Sequence, residues 1–437
     1  MRASILALTL LCSVAAGART WTLDECIGHA TANNITVRQQ QLAVRNAELG
    51  VTDARSGYLP QVSASAGQSW NLGRGLTAEN TYADRNTSSF NWSGSLQVPV
   101  FNGLRTPRQV RYAKANLAQV AEQYEAAKDN ITINVITSYL QVLYDKEMIE
   151  TARHQVDLSN FDLSRRRALL DGGKIPEIDM LEAESQLAAD SLSLVQAQND
   201  EVLARINLAQ LLCLGEEDIA DFDVAPLSDP EAMIIPAEEA YRLALQHNHS
   251  VRAARLGLDT SDRNISLAKS GYLPQLSFGA SVGSSYYKLS GMPNESFGDQ
   301  MRHNYSTYFG FSLNIPIFDG FSTRNSVRRA RVERINAELQ LDQAEQQLFH
   351  DIQQAYYQAT GAERKLASSR TADRTAARAY EAMAEKYALG RATPADYETA
   401  KNRAYRTAAD LVAARYELIL RSRLLAFYYL GPQASGL

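Results

Sequence analysis

The 437-residue chain carries 44 basic and 49 acidic side chains, a net charge of −5, and no dense basic face, which argues against a nucleic-acid partner. Beyond the first eighteen residues no apolar run reaches the roughly 18 residues that a membrane-spanning helix needs. Any passage through a bilayer must therefore use β-strands.

Residues 1–18 read as a secretory signal peptide. Arg2 is followed by an apolar stretch from Ile5 to Ala16, and Ala16-Gly17-Ala18 supplies a small-residue cleavage site. Cys12 lies inside that stretch after Leu11, which does not fit a lipoprotein cleavage site. Cleavage leaves Cys26 and Cys213 in an oxidising compartment, open to bridging or to burial as two small hydrophobes.

The rest of the chain is written twice. Residues 19–214 and 237–431 are expected to be two structural repeats, joined by an acidic, proline-containing linker at 215–236 and followed by a tail at 432–437. Each repeat opens with an amphipathic helical segment. Asp24 leads through Asn34, Val37 and Arg38 to Gly57, and 214 positions later Glu238, Asn248, Val251 and Arg252 lead to Gly271. Both segments stop at nearly the same word, ARSGYLPQ at Ala54–Gln61 and AKSGYLPQ at Ala268–Gln275. Proline cannot continue a helix and pushes the preceding residue toward extended geometry, so Pro60 and Pro274 read as hinges from helix to strand.

A serine-rich alternating strand follows in each copy, with Val62, Ala64 and Ala66 on the apolar side of the first and Leu276, Phe278, Ala280 and Val282 on that of the second. Polar stretches at 71–89 and 288–306 are expected to be exposed loops. Next, Phe90, Trp92, Leu96, Val98 and Val100 share one face, as do Phe309, Phe311, Leu313, Ile315 and Ile317 in the second copy. About ten alternating residues suffice to cross a bilayer as a tilted strand, which makes Phe90, Trp92, Phe309 and Phe311 candidates for lipid-facing aromatics. Four strands in an otherwise helical chain are too few for a soluble sandwich.

QVPVFNGLRT (Gln97–Thr106) and NIPIFDGFST (Asn314–Thr323) return the chain to helix through Gly103 and Gly320, with Asn102 and Asp319 as N-caps. The helical patterns that follow, about Gly103–Leu170 and Gly320–Leu389, would each extend roughly 100 Å, a length that suits a coiled coil or a tube. Val110, Ala113, Leu117, Val120, Tyr124, Ala127 and Ile131 keep the alternating three- and four-residue steps of left-handed helix packing. The long helices stop at Asp171-Gly172-Gly173 and at Gly390. Returning helices, about Glu177–Leu214 and Ala395–Leu430, place Asp179 over Asp396 at an offset of 217.

Helix, strand, loop, strand, very long helix, tight turn and returning helix, performed twice behind a signal peptide, is an order that resembles the TolC-like outer membrane efflux proteins of Gram-negative bacteria. The resemblance is carried by the two GYLP junctions, by Val98-Pro99-Val100-Phe101-Asn102-Gly103 and Ile315-Pro316-Ile317-Phe318-Asp319-Gly320, and by Gly390 with Asp396. It implies a mainly α fold with membrane β: a homotrimer whose chains give four strands each to a shared twelve-stranded β-barrel, continuous with a long α-helical barrel in the periplasm. It also implies a passive exit duct for small molecules in the outer membrane, surrounded by lipid. A periplasmic adaptor protein and an inner-membrane transporter would be its partners, with no cofactor. A duct for type I protein secretion is the alternative within this class; a coiled-coil structural or adhesin protein is the alternative outside it.

No catalytic or metal-binding constellation stands out, and His247 and His249, two apart, point to different sides of a helix. The chemistry implied by the resemblance is gating where the helices turn. Asp396 matches the family's entrance aspartate, Asp179 is its first-half counterpart, and Tyr387 matches a tyrosine that latches the closed state on the first-half aspartate. The family's second entrance aspartate falls on Thr399, which leaves Glu398 and Glu182 as substitutes, and the basic latch residue is displaced to Arg391. Carboxylates repeated around a narrow ring would favour cations. Helix capping is the competing account of Asp179 and Asp396, since both fall in the first turn of a returning helix.

Overall fold

The computed structural model describes residues 20–76, 80–215, 219, 222–227 and 234–431. The signal peptide, the tail at 432–437 and parts of the 215–236 linker lie outside the described residues. In chain order the first repeat contains β1 (Thr20–Trp21), α1 (Leu23–Asn33), α2 (Ile35–Ser56), β2 (Gln61–Asn71), β3 (Arg74–Leu76), β4 (Tyr82–Asp84), β5 (Thr87–Asn102), α3 (Arg105–Asp171) and α4 (Glu177–Leu212). The remainder contains β6 (Asp223–Val224), α5 (Ala237–His247), α6 (His249–Ala268), a 3-10 turn (Lys269–Tyr272), β7 (Gln275–Leu289), α7 (Phe297–His303), β8 (Ser306–Asn314), α8 (Ser322–Ala388) and α9 (Pro394–Leu430).

Each opening helix is broken once, which the periodicity did not foretell. Asn34 and Asn248 leave helical geometry, with ψ of 132° and 114°. Each side-chain oxygen then accepts from the next helix, at Thr36 N (2.9 Å) and Val251 N (3.0 Å). One asparagine thus ends one helix and caps the next.

The chain divides into two compact units, to both of which α3 and α8 contribute. One unit comprises residues 43–122 and 252–343. Its sheet is antiparallel throughout, in the order β2-β5-β7-β8. Trp92 pairs with Ala66 and Ser284, and Phe278 pairs with Val98 and Phe311. Since alternate residues share a face, the register gathers Val62, Trp92, Leu96, Phe278, Phe309 and Phe311 on one side and serines on the other. Across the polar side, the hydroxyl pairs Ser63–Ser95, Ser65–Ser93 and Ser69–Ser89 hydrogen-bond at 2.7, 2.9 and 2.8 Å.

The prolines shorten the expected alternation. Pro99 has no N–H to give the ladder, and the register shifts between Pro99 and Phe101, so Val100 leaves the apolar face. In the second copy β8 ends at Asn314, which puts Ile315 and Ile317 past the strand, beside Pro316. The expected loops also hold regular structure. The first contains the β3–β4 hairpin; in the second, α7 lies on β7, where Ser284 Oγ donates to Met301 O at 2.8 Å. Phe297 of α7 covers Phe90 at 5.7 Å between ring centroids, so this aromatic is sheltered while Phe309 and Phe311 remain 74% and 70% exposed.

Both returns to helix use two successive left-handed residues, Gly103-Leu104 (φ 64° and 59°) and Gly320-Phe321 (φ 64° and 66°). Asn102 and Asp319 accept from Thr106 N and Thr323 N at 3.3 and 2.8 Å, as expected of N-caps. α3 and α8 are then 67 residues each. Val110, Ala113 and Leu117, from the predicted stripe, pack on Val51 and Ala54 of α2.

The other unit holds the described residues of 20–42, 123–251 and 344–431. Its core joins Leu23, Cys26 and Ala30 of α1 to Val135, Tyr139 and Val142 of α3, to Leu208 and Leu212 of α4, and to Phe222 and Val224. The linker is more than a connection, because β6 pairs in parallel with β1 and the Tyr139 hydroxyl donates to both Trp21 O and Ala225 O, at 3.0 and 2.6 Å. Cys26 and Cys213 are both free; burial pushes the Cys26 thiol up to about 12, and Cys213 is exposed.

Candidate functional site: a buried polar layer near the helical turns

The site is built on the stripe along which α3 packs. Toward its middle the buried positions are mostly apolar, including Ile131, Val135, Tyr139 and Val142, with Thr132 and Asp145 among them. Beyond Ala152 the same three- and four-residue steps reach Gln155, Ser159, Asp162 and Arg166, all still buried. The partners are equally polar: Asp190 on α4 and Lys401 on α9, one turn from buried Tyr397. Arg166 and Lys401 are each only 1% exposed. Charges so enclosed persist only when paired.

The pairing has two centres. At the first, Arg166 Nε lies 2.8 Å from Asp162 Oδ2, Nη2 lies 2.9 Å from Glu398 Oε1, and Nη1 donates to Asp179 O at 2.9 Å. Both Asp162 oxygens are enclosed and take no hydrogen bond among the described residues, so the guanidinium charge is what balances them. At the second, Lys401 Nζ lies 2.8 Å from Glu398 Oε2 and donates to Ser159 Oγ at 3.1 Å. Ser159 and Gln155 in turn donate to Asp190 Oδ2, while Gln186 holds Oδ1 at 2.9 Å. Glu398 bridges the two centres. Burial raises its pKa above the usual carboxylate value, against the opposing pull of Lys401.

An aromatic stack closes one side. Tyr387 of α8 lies on Tyr397 with centroids 4.7 Å apart and an interplanar angle of 19°, and the Arg165 guanidinium stands 4.9 Å above Tyr387. Tyr397 meets the Tyr380 hydroxyl at 3.2 Å. Burial raises the pKa of both Tyr387 and Tyr397, so these phenols stay neutral.

Of the residues singled out in the sequence, Glu398, Asp179 and Tyr387 are brought together around Arg166, though by different contacts from those expected. Asp179 contributes its backbone carbonyl, and no hydrogen bond joins it to Tyr387 among the described residues. Asp396 forms a reciprocal capping box: Thr393 Oγ1 accepts from Asp396 N at 3.2 Å, and Asp396 Oδ2 accepts from Thr393 N at 3.4 Å and from Thr393 Oγ1 at 2.7 Å. Glu182 and Arg391 are exposed and outside the layer. Arg166, Asp162, Asp190 and Lys401 were missed. The available signal was the heptad phase of α3, which places polar residues where an apolar stripe should continue.

Comparison with known proteins fits the duplicated architecture. The family described as outer membrane efflux protein matches twice, over residues 26–214 and 240–428. The outer membrane efflux protein BepC of Brucella suis is 22% identical over 404 residues, spanning 92% of this chain and 84% of BepC. The outer membrane protein TolC of Vibrio cholerae is 26% identical over 378 residues, 85% of this chain and 82% of TolC. The crystal structure of the outer membrane protein VceC from Vibrio cholerae superposes with a TM-score of 0.77 at 16% identity, covering 94% of this chain and 96% of that one. The two matched segments coincide with the two copies of helix, strand pair, long helix and returning helix, and the chain belongs to the outer membrane efflux protein family.

Proposed function

We infer that the chain is one protomer of a homotrimeric outer-membrane duct through which a tripartite efflux pump expels small molecules, and that the layer around Arg166 holds the periplasmic end of that duct closed. The observation that carries the duct is the four-stranded sheet, apolar on one face and serine-lined on the other, with no partner strand on the outer edges of β2 and β8 among the described residues. Lipid offers no hydrogen bonds to such edges, so further copies must close the barrel. Three copies, each giving four strands, make the twelve-stranded barrel of the family.

A passive duct needs an adaptor protein and an inner-membrane transporter to supply cargo and energy. The closure reading rests on burial: helices joined by an ion-pair layer have a packed state and, when it hydrates, a separated one. Purified protein should run as a heat-modifiable trimer from the outer-membrane fraction and give stepwise conductance in planar bilayers. Removing it from the cell should lower the tolerated concentration of toxic small molecules. Unaltered tolerance together with loss of a secreted protein would transfer the chain to protein secretion, and a monomer without conductance would end the duct reading.

A further inference from the structure

We propose that the first turns of α3 and α8 form a cationic collar that binds the phosphate headgroups of anionic phospholipids in the periplasmic leaflet of the outer membrane. The proposal rests on the duct reading only in taking the four strands as membrane-embedded.

The charge pattern occurs once in each repeat. From Gly103 to Ala121 the chain has Arg105, Arg108, Arg111 and Lys114 and no acid; from Gly320 to Val332 it has Arg324, Arg328, Arg329 and Arg331 and again no acid. Cations at a helix start oppose the macrodipole; neither helix has an acidic residue in its first turn, and the Asp319 cap of α8 is the one carboxylate that offsets them. Two repeats that have otherwise diverged keep the same locally unfavourable feature, which calls for a stabilising partner outside the chain.

That partner is not supplied from within. Among the described residues none of these eight cations has an ion pair, whereas the next cation along each helix does: Lys128 meets Glu125 at 3.1 Å on α3, and Arg334 meets Asp262 at 2.9 Å on α8. Arg324, Arg328 and Arg331, spaced four and three apart, stack on one stripe of α8. Arg328 and Arg329 line an open cleft of about 490 Å³ with Asn325, Val332 and Glu333, the last of which accepts from Asn264 Nδ2 at 3.0 Å. On α3, Arg108 Nη1 is enclosed without a hydrogen-bond partner among the described residues.

The neighbours above the collar identify the occupant. Phe101, Leu104, Phe318 and Phe321 are 40%, 45%, 76% and 52% exposed, and Phe101 pairs with Leu276 of the neighbouring strand β7. The Arg324 guanidinium stands 5.5 Å from the Phe321 ring centre. Exposed aromatics giving way to cations within a turn of helix follow the depth profile of a lipid leaflet, acyl chains first and anionic headgroups next. An acidic protein surface would match the charge and leave the aromatic rim uncovered.

The test uses the full-length protein in neutral detergent, supplemented with phosphatidylglycerol or with zwitterionic phosphatidylethanolamine. Phospholipid phosphorus retained per chain is measured after gel filtration, at low and high salt. The expected result is retention of phosphatidylglycerol over phosphatidylethanolamine, lost in high salt. Affinity should fall about fivefold for each cation removed. Arg111→Gln reads a single cation, and the fourfold variants of α3 (R105Q, R108Q, R111Q, K114Q) and α8 (R324Q, R328Q, R329Q, R331Q) read each half of the collar. Because retention is counted per chain, a variant that fails to trimerise is still informative. Equal retention of the two lipids, or glutamine variants that retain phosphatidylglycerol as the parent does, overturns the proposal. So does displacement by polyglutamate at concentrations where phosphatidylglycerol still binds weakly, which would point to an acidic protein. A conducting trimer indifferent to headgroup charge would remove the lipid site and leave the duct intact.

Discussion

Arg166 Nη2 and Glu398 Oε1 lie 2.9 Å apart, an ion pair that joins residues 232 positions distant and ties the first helical hairpin to the second. The pair is enclosed, with side chains 1% and 21% exposed. Removing Arg166 leaves Asp162 as uncompensated buried charge and Glu398 with Lys401 alone, a loss of about 3 kcal/mol. Arg166→Leu should therefore loosen the hairpins and raise single-channel conductance, with a lower urea midpoint for the trimer. Exposed Arg167→Ala, one residue away, should change neither. If the two variants behave alike, the layer does not hold the closed state.

Acid should favour closure. Burial holds the Glu398 carboxyl above its ordinary value of 4.5, against Lys401 and with Asp162 adding to the shift. In an opened tip the group is solvated and returns toward the ordinary value. Between the two values the closed tip keeps a proton that the open one has lost, so closure is favoured as pH falls through that window. Above the window both forms are ionised, and the closed tip bears the cost of a buried carboxylate. Conductance should be lower at mildly acidic than at neutral pH, and Glu398→Gln should flatten the profile. Conductance that rises on acidification in the parent, and not in Glu398→Gln, would reverse the assignment.

The duplication made most of the fold legible. GYLPQ, the two Pro-containing returns and the glycines at the turns are local chain instructions, and α3 and α8 begin within two residues of their expected starts. What stayed hidden depends on tertiary contact. Asn34 reads as an ordinary helical position until its amide is seen donating to Leu211 O, 177 residues away. Arg166 stands between Arg165 and Arg167, and nothing in that run of three says which is buried. Only the phase of the packing stripe separates them. α7 carries too few residues to show a period, and its docking on β7 rests on side chains such as Gln300, which bonds both N and O of Tyr287.

Capping and charge at Asp396 can be separated. The residue closes a box with Thr393 at the start of α9, and it also places an exposed carboxylate beside the turn. Thr393→Ala removes the cap and keeps the charge, at a cost of about 1 kcal/mol to the tip. Asp396→Asn removes the charge and keeps an oxygen able to accept from Thr393. The first should lower the melting temperature with the reversal potential in a salt gradient unchanged. The second should shift the reversal potential away from cation preference with little change in melting. An unchanged reversal potential in Asp396→Asn would leave this residue as a cap alone.

The junction glycines of the two repeats are equivalent in sequence and unequal in tolerance. A Cβ on Gly271 would meet Thr323 Oγ1 at 2.7 Å and Cγ2 at 3.0 Å, whereas one on Gly57 would meet Thr106 at 3.2 and 3.3 Å. In each copy the threonine belongs to the first turn of a long helix and the glycine to the turn entering the membrane strand, so the contact fixes the angle between them. Gly271→Ala must push the 3-10 turn off α8 and should cost about 1–3 kcal/mol, with Gly57→Ala toward the lower end. The yield of heat-resistant trimer should fall in the same order. Thr323→Ala deletes both clashing atoms and leaves the Asp319 cap, which uses the Thr323 backbone N–H at 2.8 Å, in place. The double variant Gly271→Ala/Thr323→Ala should therefore regain most of the yield. Failure to regain it would mean that the glycine is required for backbone freedom in the turn, and that its close approach to Thr323 does not set the junction.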